Sequence, residues 1–99
     1  MANETYDYII IGSGSAGSII AYRLCEYFPN KKILLVEAGN NDNKITVKIP
    51  AGYGYLFNNN QVNWKYYTEK IKGLNNRRDY WPKGKILGGS SSINAMVYI

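Results

Sequence analysis

An α/β fold built on a Rossmann-like βαβ unit is predicted on three observations. Two short β-branched, apolar runs stand near the start of the chain. A glycine-rich turn and a stretch with apolar residues at helical spacing separate them. An acidic residue closes the second run.

The first run, Tyr6 to Ile11, is aromatic and β-branched and passes at once into glycine. It reads as a buried strand of a parallel sheet, covered on both faces, where the pattern is continuous rather than alternating. Gly12-Ser13-Gly14-Ser15-Ala16-Gly17 follows as G-x-G-x-x-G. The first glycine permits the tight turn, the second lets backbone approach a pyrophosphate, and the third lets the next helix pack closely on the strand. That helix is expected over Ser15 to Phe28, with Ile19, Ile20, Leu24 and Tyr27 at helical spacing, and Pro29-Asn30 ends it. Its free N–H groups and partial positive charge face the phosphates.

A second buried strand, Lys32 to Val36, leads into Glu37 and Ala38. Glu37 stands about twenty residues beyond Gly17, where an acid accepts hydrogen bonds from the ribose of an adenine dinucleotide. An acid there disfavours a 2′-phosphate, and hence NADP. The same residues fit a βαβ unit with no ligand, and they do not separate FAD from NAD.

The rest of the chain carries three further blocks. They are Asn63-Trp64-Lys65-Tyr66-Tyr67-Thr68-Glu69, Tyr80-Trp81-Pro82-Lys83-Gly84-Lys85 and Leu87-Gly88-Gly89-Ser90-Ser91-Ser92-Ile93-Asn94-Ala95-Met96. Trp64 to Ile71 and Arg78 to Trp81 read as the arms of a hairpin across Gly73-Leu74-Asn75-Asn76. Gly88-Gly89 removes side chains where backbone passes close to a ring or phosphate, and Ser90 to Ser92 supply hydroxyls and a helix start. Asn94 is placed to offer an amide to a ligand. Taken alone, the block also fits a Gly-Gly-Ser turn capping an ordinary helix.

From Tyr6 to Ile99 these segments, in this order, resemble the amino-terminal part of the glucose–methanol–choline (GMC) oxidoreductases, nearest to the choline dehydrogenase type. The likeness is weakest over Gly39 to Val47. It implies a partial, truncated Rossmann-like FAD-binding (βαβ) domain over residues 1–99. The dinucleotide unit would occupy about 6–39 and the flavin-contacting segments about 63–99, with the catalytic and substrate domain absent. Carried over by position, Gly12, Ser13, Gly14, Ser15, Ala16, Gly17, Glu37 and Ala38 would hold the ADP portion. Gly88, Gly89, Ser90, Asn94, Ala95 and Met96 would line the flavin side.

Some members attach FAD through a histidine within the last block. Ile93 stands there, and the chain has no histidine, so a non-covalent flavin is expected. The family's catalytic histidine lies late in the chain. A general base must reach the proton it removes, and no group here is assigned that role. The implied activity is oxidation of a choline-like alcohol by hydride transfer to FAD. It would be performed with the rest of the polypeptide, covalently continuous or separately encoded. A catalytically inactive product of a truncated or decayed gene and a non-catalytic nucleotide-binding module are the alternatives.

Charge and composition exclude other classes. The net charge of +5 comes from dispersed residues, which argues against a nucleic-acid surface. A single cysteine, Cys25, allows no internal disulfide and no metal spacing. No apolar stretch approaches a membrane helix of about 18 residues. The first strand begins near the amino terminus and leaves no room for a signal peptide, so the expected location is the cytoplasm. Deprived of neighbouring strands, the first strand is expected to expose an edge and an apolar face.

Overall fold

The structure is a computed structural model describing residues Glu4–Met96. Positions 97–99, the end of the expected flavin-contacting segment, lie outside them. The first unit is β1 (Tyr8–Ile11), α1 (Ser15–Tyr27) and β2 (Ile33–Val36). The strands pair in parallel, with Tyr8 opposite Ile33 and Ile11 opposite Val36. α1 closes where the Phe28 N–H donates to the Leu24 carbonyl at 2.9 Å, immediately before Pro29. The connection into β2 is clipped to the start of β1 by Asp7. Its carboxylate accepts from Lys31 Nζ at 3.0 Å and from the Lys32 N–H at 2.9 Å.

Two short helices follow, α2 (Ile45–Lys48) and α3 (Tyr53–Leu56), joined by a 3₁₀ turn at Pro50–Gly52. The expected hairpin forms from β3 (Tyr66–Tyr67) and β4 (Tyr80–Trp81), antiparallel, with Tyr66 opposite Trp81. Its loop contains a 3₁₀ turn at Lys72–Leu74, then Asn75 and Asn76 at φ 55° and 58°. Asparagine is among the few non-glycine residues that enter the left-handed region readily.

The chain then returns to the first unit. Trp64 N–H donates to Lys83 O and Lys85 N–H to Val62 O, both at 2.8 Å. Asn40 and Ile86 form a parallel bridge. The Gly88-Gly89 block turns into a 3₁₀ helix, Gly89–Ile93, where the sequence pattern suggested only the start of a helix. The buried core is Leu56, Val62, Ile86 and Ile93, with Val47 packed against it. It lies in the second half of the chain and draws nothing from the βαβ unit.

This corrects the reading of both strands as buried and agrees with the expectation that the first strand exposes an apolar face. Ile9 is 59% exposed and Ile11 80%, and α1 has no buried residue, with Ile19, Ile20 and Tyr27 open to solvent. β2 is half-buried except for Val36, which is exposed. The physical reason is topological: among the described residues, β1 pairs with β2 alone. The apolar run encodes a demand for cover, and the described residues do not meet it. The accessible surface, 7855 Å², compares with about 5,700 Å² for a compact monomer of this mass. The radius of gyration, 17.0 Å, compares with about 13 Å.

Candidate functional site

The turn between β1 and α1 is built for close approach. Gly12 has φ +90°, and the Gly12 N–H donates to Val36 O at 2.7 Å, pinning the turn to the end of β2. A Cβ on Gly17 would strike the Gly12 carbonyl, so the third glycine is required for helix to meet turn. Around Gly14, by contrast, a Cβ would meet no atom within 4 Å. That space belongs to a cavity. The amino end of α1 has no side-chain cap and no acidic residue in its first turn. Its first N–H groups therefore remain available to an anion.

Glu37, at the end of β2, is drawn onto this turn. Its Oε2 accepts from the Ser13 N–H at 2.8 Å and from Ser13 Oγ at 2.7 Å, while Oε1 accepts from the Gly39 N–H at 2.8 Å. Burial raises the affinity of this carboxyl for its proton. The bonds from Ser13 N–H and Oγ and from the Gly39 N–H, with the Ala38 amide also turned toward the carboxylate, outweigh burial and hold the pKa below the ordinary value.

The Gly88-Gly89 turn arrives from the far end of the chain. The Gly88 N–H donates to Ser13 O at 3.1 Å and to Ser13 Oγ at 3.2 Å. Gly89, at φ +62°, sits so close that a Cβ on it would stand 2.9 Å from the Gly14 Cα. Gly84 faces Gly89 in the same way, and its N–H donates to Ser90 Oγ at 3.0 Å.

These pieces enclose a cavity of about 500 Å³, within the range usual for small-molecule sites. Of the residues expected from sequence, Gly12, Gly14, Glu37, Ala38, Gly89 and Ser90 line it. Ser13 and Gly88 stand behind the wall as its hydrogen-bonded frame. Ser15, Ala16 and Gly17 form the first turn of α1. Asn94 turns its amide inward on its own loop, donating to Ser91 O at 3.0 Å and accepting from the Met96 N–H at 2.8 Å. Asn94, Ala95 and Met96 are exposed and away from the cavity.

Trp64, Tyr66 and Lys83, within the expected flavin-contacting segment but not among its named binding residues, line the opposite wall. Trp64 and Tyr66 stack at 6.0 Å, 5° from parallel, with Lys85 Nζ 4.6 Å from the Trp64 centroid. Among the described residues, Lys83 is the one cation lining the cavity and Glu37 the one anion. Tyr66 opens β3, while Trp64 precedes it and Lys65 between them sits at φ 56°, so a local kink and not strand alternation brings the two rings to one face. Behind them Asn63, 3% exposed, fixes both segments. Its Oδ1 accepts from Lys65 N–H and Lys83 N–H, both at 2.9 Å, and its Nδ2 donates to Phe57 O at 2.9 Å and Tyr80 Oη at 3.1 Å.

The cavity therefore offers a glycine floor without side chains, reaching the uncapped amino end of α1 at Gly14, with one fixed carboxylate and a flat aromatic wall. That donor set fits a dinucleotide: amides for a pyrophosphate, a carboxylate for ribose hydroxyls, ring faces for a planar group. Among the described residues no cluster of three or more metal-binding side chains occurs, and no helix is long and apolar enough to cross a membrane.

The chain is similar to known proteins. The chain is 50% identical over 94 residues to an alcohol dehydrogenase [acceptor] of Pseudomonas putida, covering 95% of this chain and 17% of that protein. It is 45% identical over 100 residues to the oxygen-dependent choline dehydrogenase of Photobacterium profundum, covering 98% of this chain and 17% of the relative. Among solved structures, pyridoxine 4-oxidase from Mesorbium loti superposes with a TM-score of 0.86 at 38% identity, over 96% of this chain and 18% of that one. The chain thus spans about 17% of the length of the curated relatives it matches. The GMC oxidoreductase family, which binds FAD, matches residues 6–99. On that match, nearly end to end, the chain belongs to the GMC oxidoreductase family and corresponds to its amino-terminal region.

Proposed function

We propose that this chain supplies the cofactor cradle of a GMC oxidoreductase that oxidises a choline-like alcohol by hydride transfer to FAD. The observation that carries the reading is the single cavity in which the Gly12 turn, Glu37 and the Gly89 turn meet. The α1 amino end and Gly14 would hold the pyrophosphate and Glu37 the adenosine ribose. Gly88, Gly89 and Ser90 would border the flavin, as would Asn94, Ala95 and Met96 once their loop is repositioned. Bound FAD would accept the hydride; the residues here bind and orient it. Ile93 occupies the position of the family's covalent link and the chain has no histidine, which supports non-covalent attachment.

In this reading the residue that deprotonates the alcohol comes from polypeptide beyond these residues. The exposed faces of β1 and α1 support completion by further chain, continuous or separately encoded. The choline-like substrate rests on the similarity to choline dehydrogenases. The test is flavin retention: visible absorbance of the purified protein after gel filtration with added FAD. Retained flavin that is released into the supernatant on acid precipitation fits the proposal. Absence of retention sinks the cradle, and flavin that stays with the precipitate sinks the non-covalent assignment. Glu37→Ala should lower flavin content, and unchanged content would remove Glu37 from the ribose site.

A further inference from the structure

Ser13 is the one polar side chain of the glycine turn that is completely buried, at 0% exposure. Nothing in the glycine pattern requires a hydroxyl at that position. Its Oγ nevertheless holds two partners from distant parts of the chain: Glu37 Oε2 at 2.7 Å and the Gly88 N–H at 3.2 Å. A serine hydroxyl has one hydrogen to give and lone pairs to receive. The Gly88 N–H can only donate, and ionised Glu37 can only accept. The hydroxyl hydrogen is therefore directed at Glu37. Together with the Ser13 N–H on the same oxygen at 2.8 Å, it clamps one carboxylate oxygen from two sides.

An ionised carboxylate has about four acceptor sites. Ser13 takes two on Oε2 and the Gly39 N–H takes one on Oε1. One remains, on a side chain that lines the cavity. We propose that Ser13 is a positioning residue: its hydroxyl fixes the rotamer and charge of Glu37, so that the remaining acceptor site is pre-aimed at a ribose hydroxyl of the cofactor. This rests on the dinucleotide reading above. Pre-organisation of this kind removes the ordering cost from the binding step. It also makes the nucleotide site depend on the Gly88 turn, which steers the Ser13 hydroxyl.

The experiment compares ADP with its 2′- and 3′-deoxy analogues, titrated calorimetrically onto the full chain in the wild type, Ser13→Ala and Ser13→Cys. The cysteine variant keeps the volume of the site but offers only a weak donor. A charged hydrogen bond to ribose should give the wild type roughly tenfold preference for ADP over at least one deoxy analogue. Both variants should lose most of that preference while the deoxy analogue binds about as before. The pH below which the preference disappears should also move upward, since a donor that holds Glu37 ionised has been removed. An unchanged preference in both variants overturns the proposal. So does an equal loss of affinity for ADP and its analogues, or loss of fold in both variants, since either marks Ser13 as a structural post. A wild type that binds no nucleotide refutes the cradle itself, and the proposal falls with it. A wild type that discriminates alongside variants that also discriminate refutes only the role of Ser13.

Discussion

Gly89 lies against Gly14, so close that a Cβ on Gly89 would stand 2.9 Å from the Gly14 Cα. The two glycine turns, one near each end of the chain, thus share a floor made of backbone. Gly89 also adopts φ +62°, so two independent constraints exclude a side chain there. Gly89→Ala is expected to lift the second turn from the first, at a cost of about 1–3 kcal/mol. The check is a chemical-denaturation midpoint alongside nucleotide binding, both of which should fall.

Gly54 is the opposite case. It lies within α3, its φ is not in the left-handed range, and a Cβ there would meet nothing within 4 Å. Gly54→Ala should stabilise by about 0.4–1 kcal/mol, through reduced freedom of the unfolded chain. A lower melting temperature for this variant would show that α3 is held differently.

Asn63 joins three backbone segments through four hydrogen bonds. Asn63→Leu fills the space but leaves the Lys83 and Lys65 amides and the Phe57 carbonyl without that partner. The expected loss is about 1–3 kcal/mol. Faster hydrogen exchange at the Lys83 amide would locate the effect.

Glu37 sets a pH dependence. Its folded pKa lies below its ordinary value near 4.5, so the unfolded chain binds the proton more readily. The stabilisation is present above that ordinary value and is lost as pH falls through the lower, folded value. Acid titration of the wild type should show this loss, and Glu37→Gln should flatten it. A steeper acid limb in the variant would contradict the assignment.

The exposed apolar faces make a prediction about solution behaviour. Ile9 and Ile19 are 59% and 62% exposed, so lysine at both should leave the stability of these residues expressed alone within about 0.5 kcal/mol. Self-association in sedimentation velocity should decrease, because a charged β1 resists edge-to-edge pairing. Unchanged association would place the sticky surface elsewhere.

The βαβ unit was legible because its signals are local. The Ile-rich runs, the three glycines and Glu37 follow one another within forty residues, and each spacing has one structural meaning. The hairpin was legible for the same reason, through Gly73 to Asn76. Three things were not fully so. The exposure of β1 was legible only in part: the apolar run reads as buried, the lack of neighbouring strands as exposed, and Ile9 and Ile11 are exposed. The roles of Ser13 and Asn63 arise from contacts across 75 and 20 residues, and a small polar residue carries no pattern announcing such partners. The third is the local closure of Asn94, whose amide bonds to Ser91 and Met96, an option open to any asparagine in a turn and announced by no pattern.

The Ser13–Gly88 link also sets a timetable. A contact that spans 75 residues cannot form on a nascent chain until the second glycine turn has left the ribosome. Until then Glu37 can bond to Ser13, but nothing from the far end steers that hydroxyl. At about 5–20 residues per second, the half-made nucleotide site waits several seconds for its other wall. During that interval bare β1 and α1 are the surfaces that any chaperone would meet first.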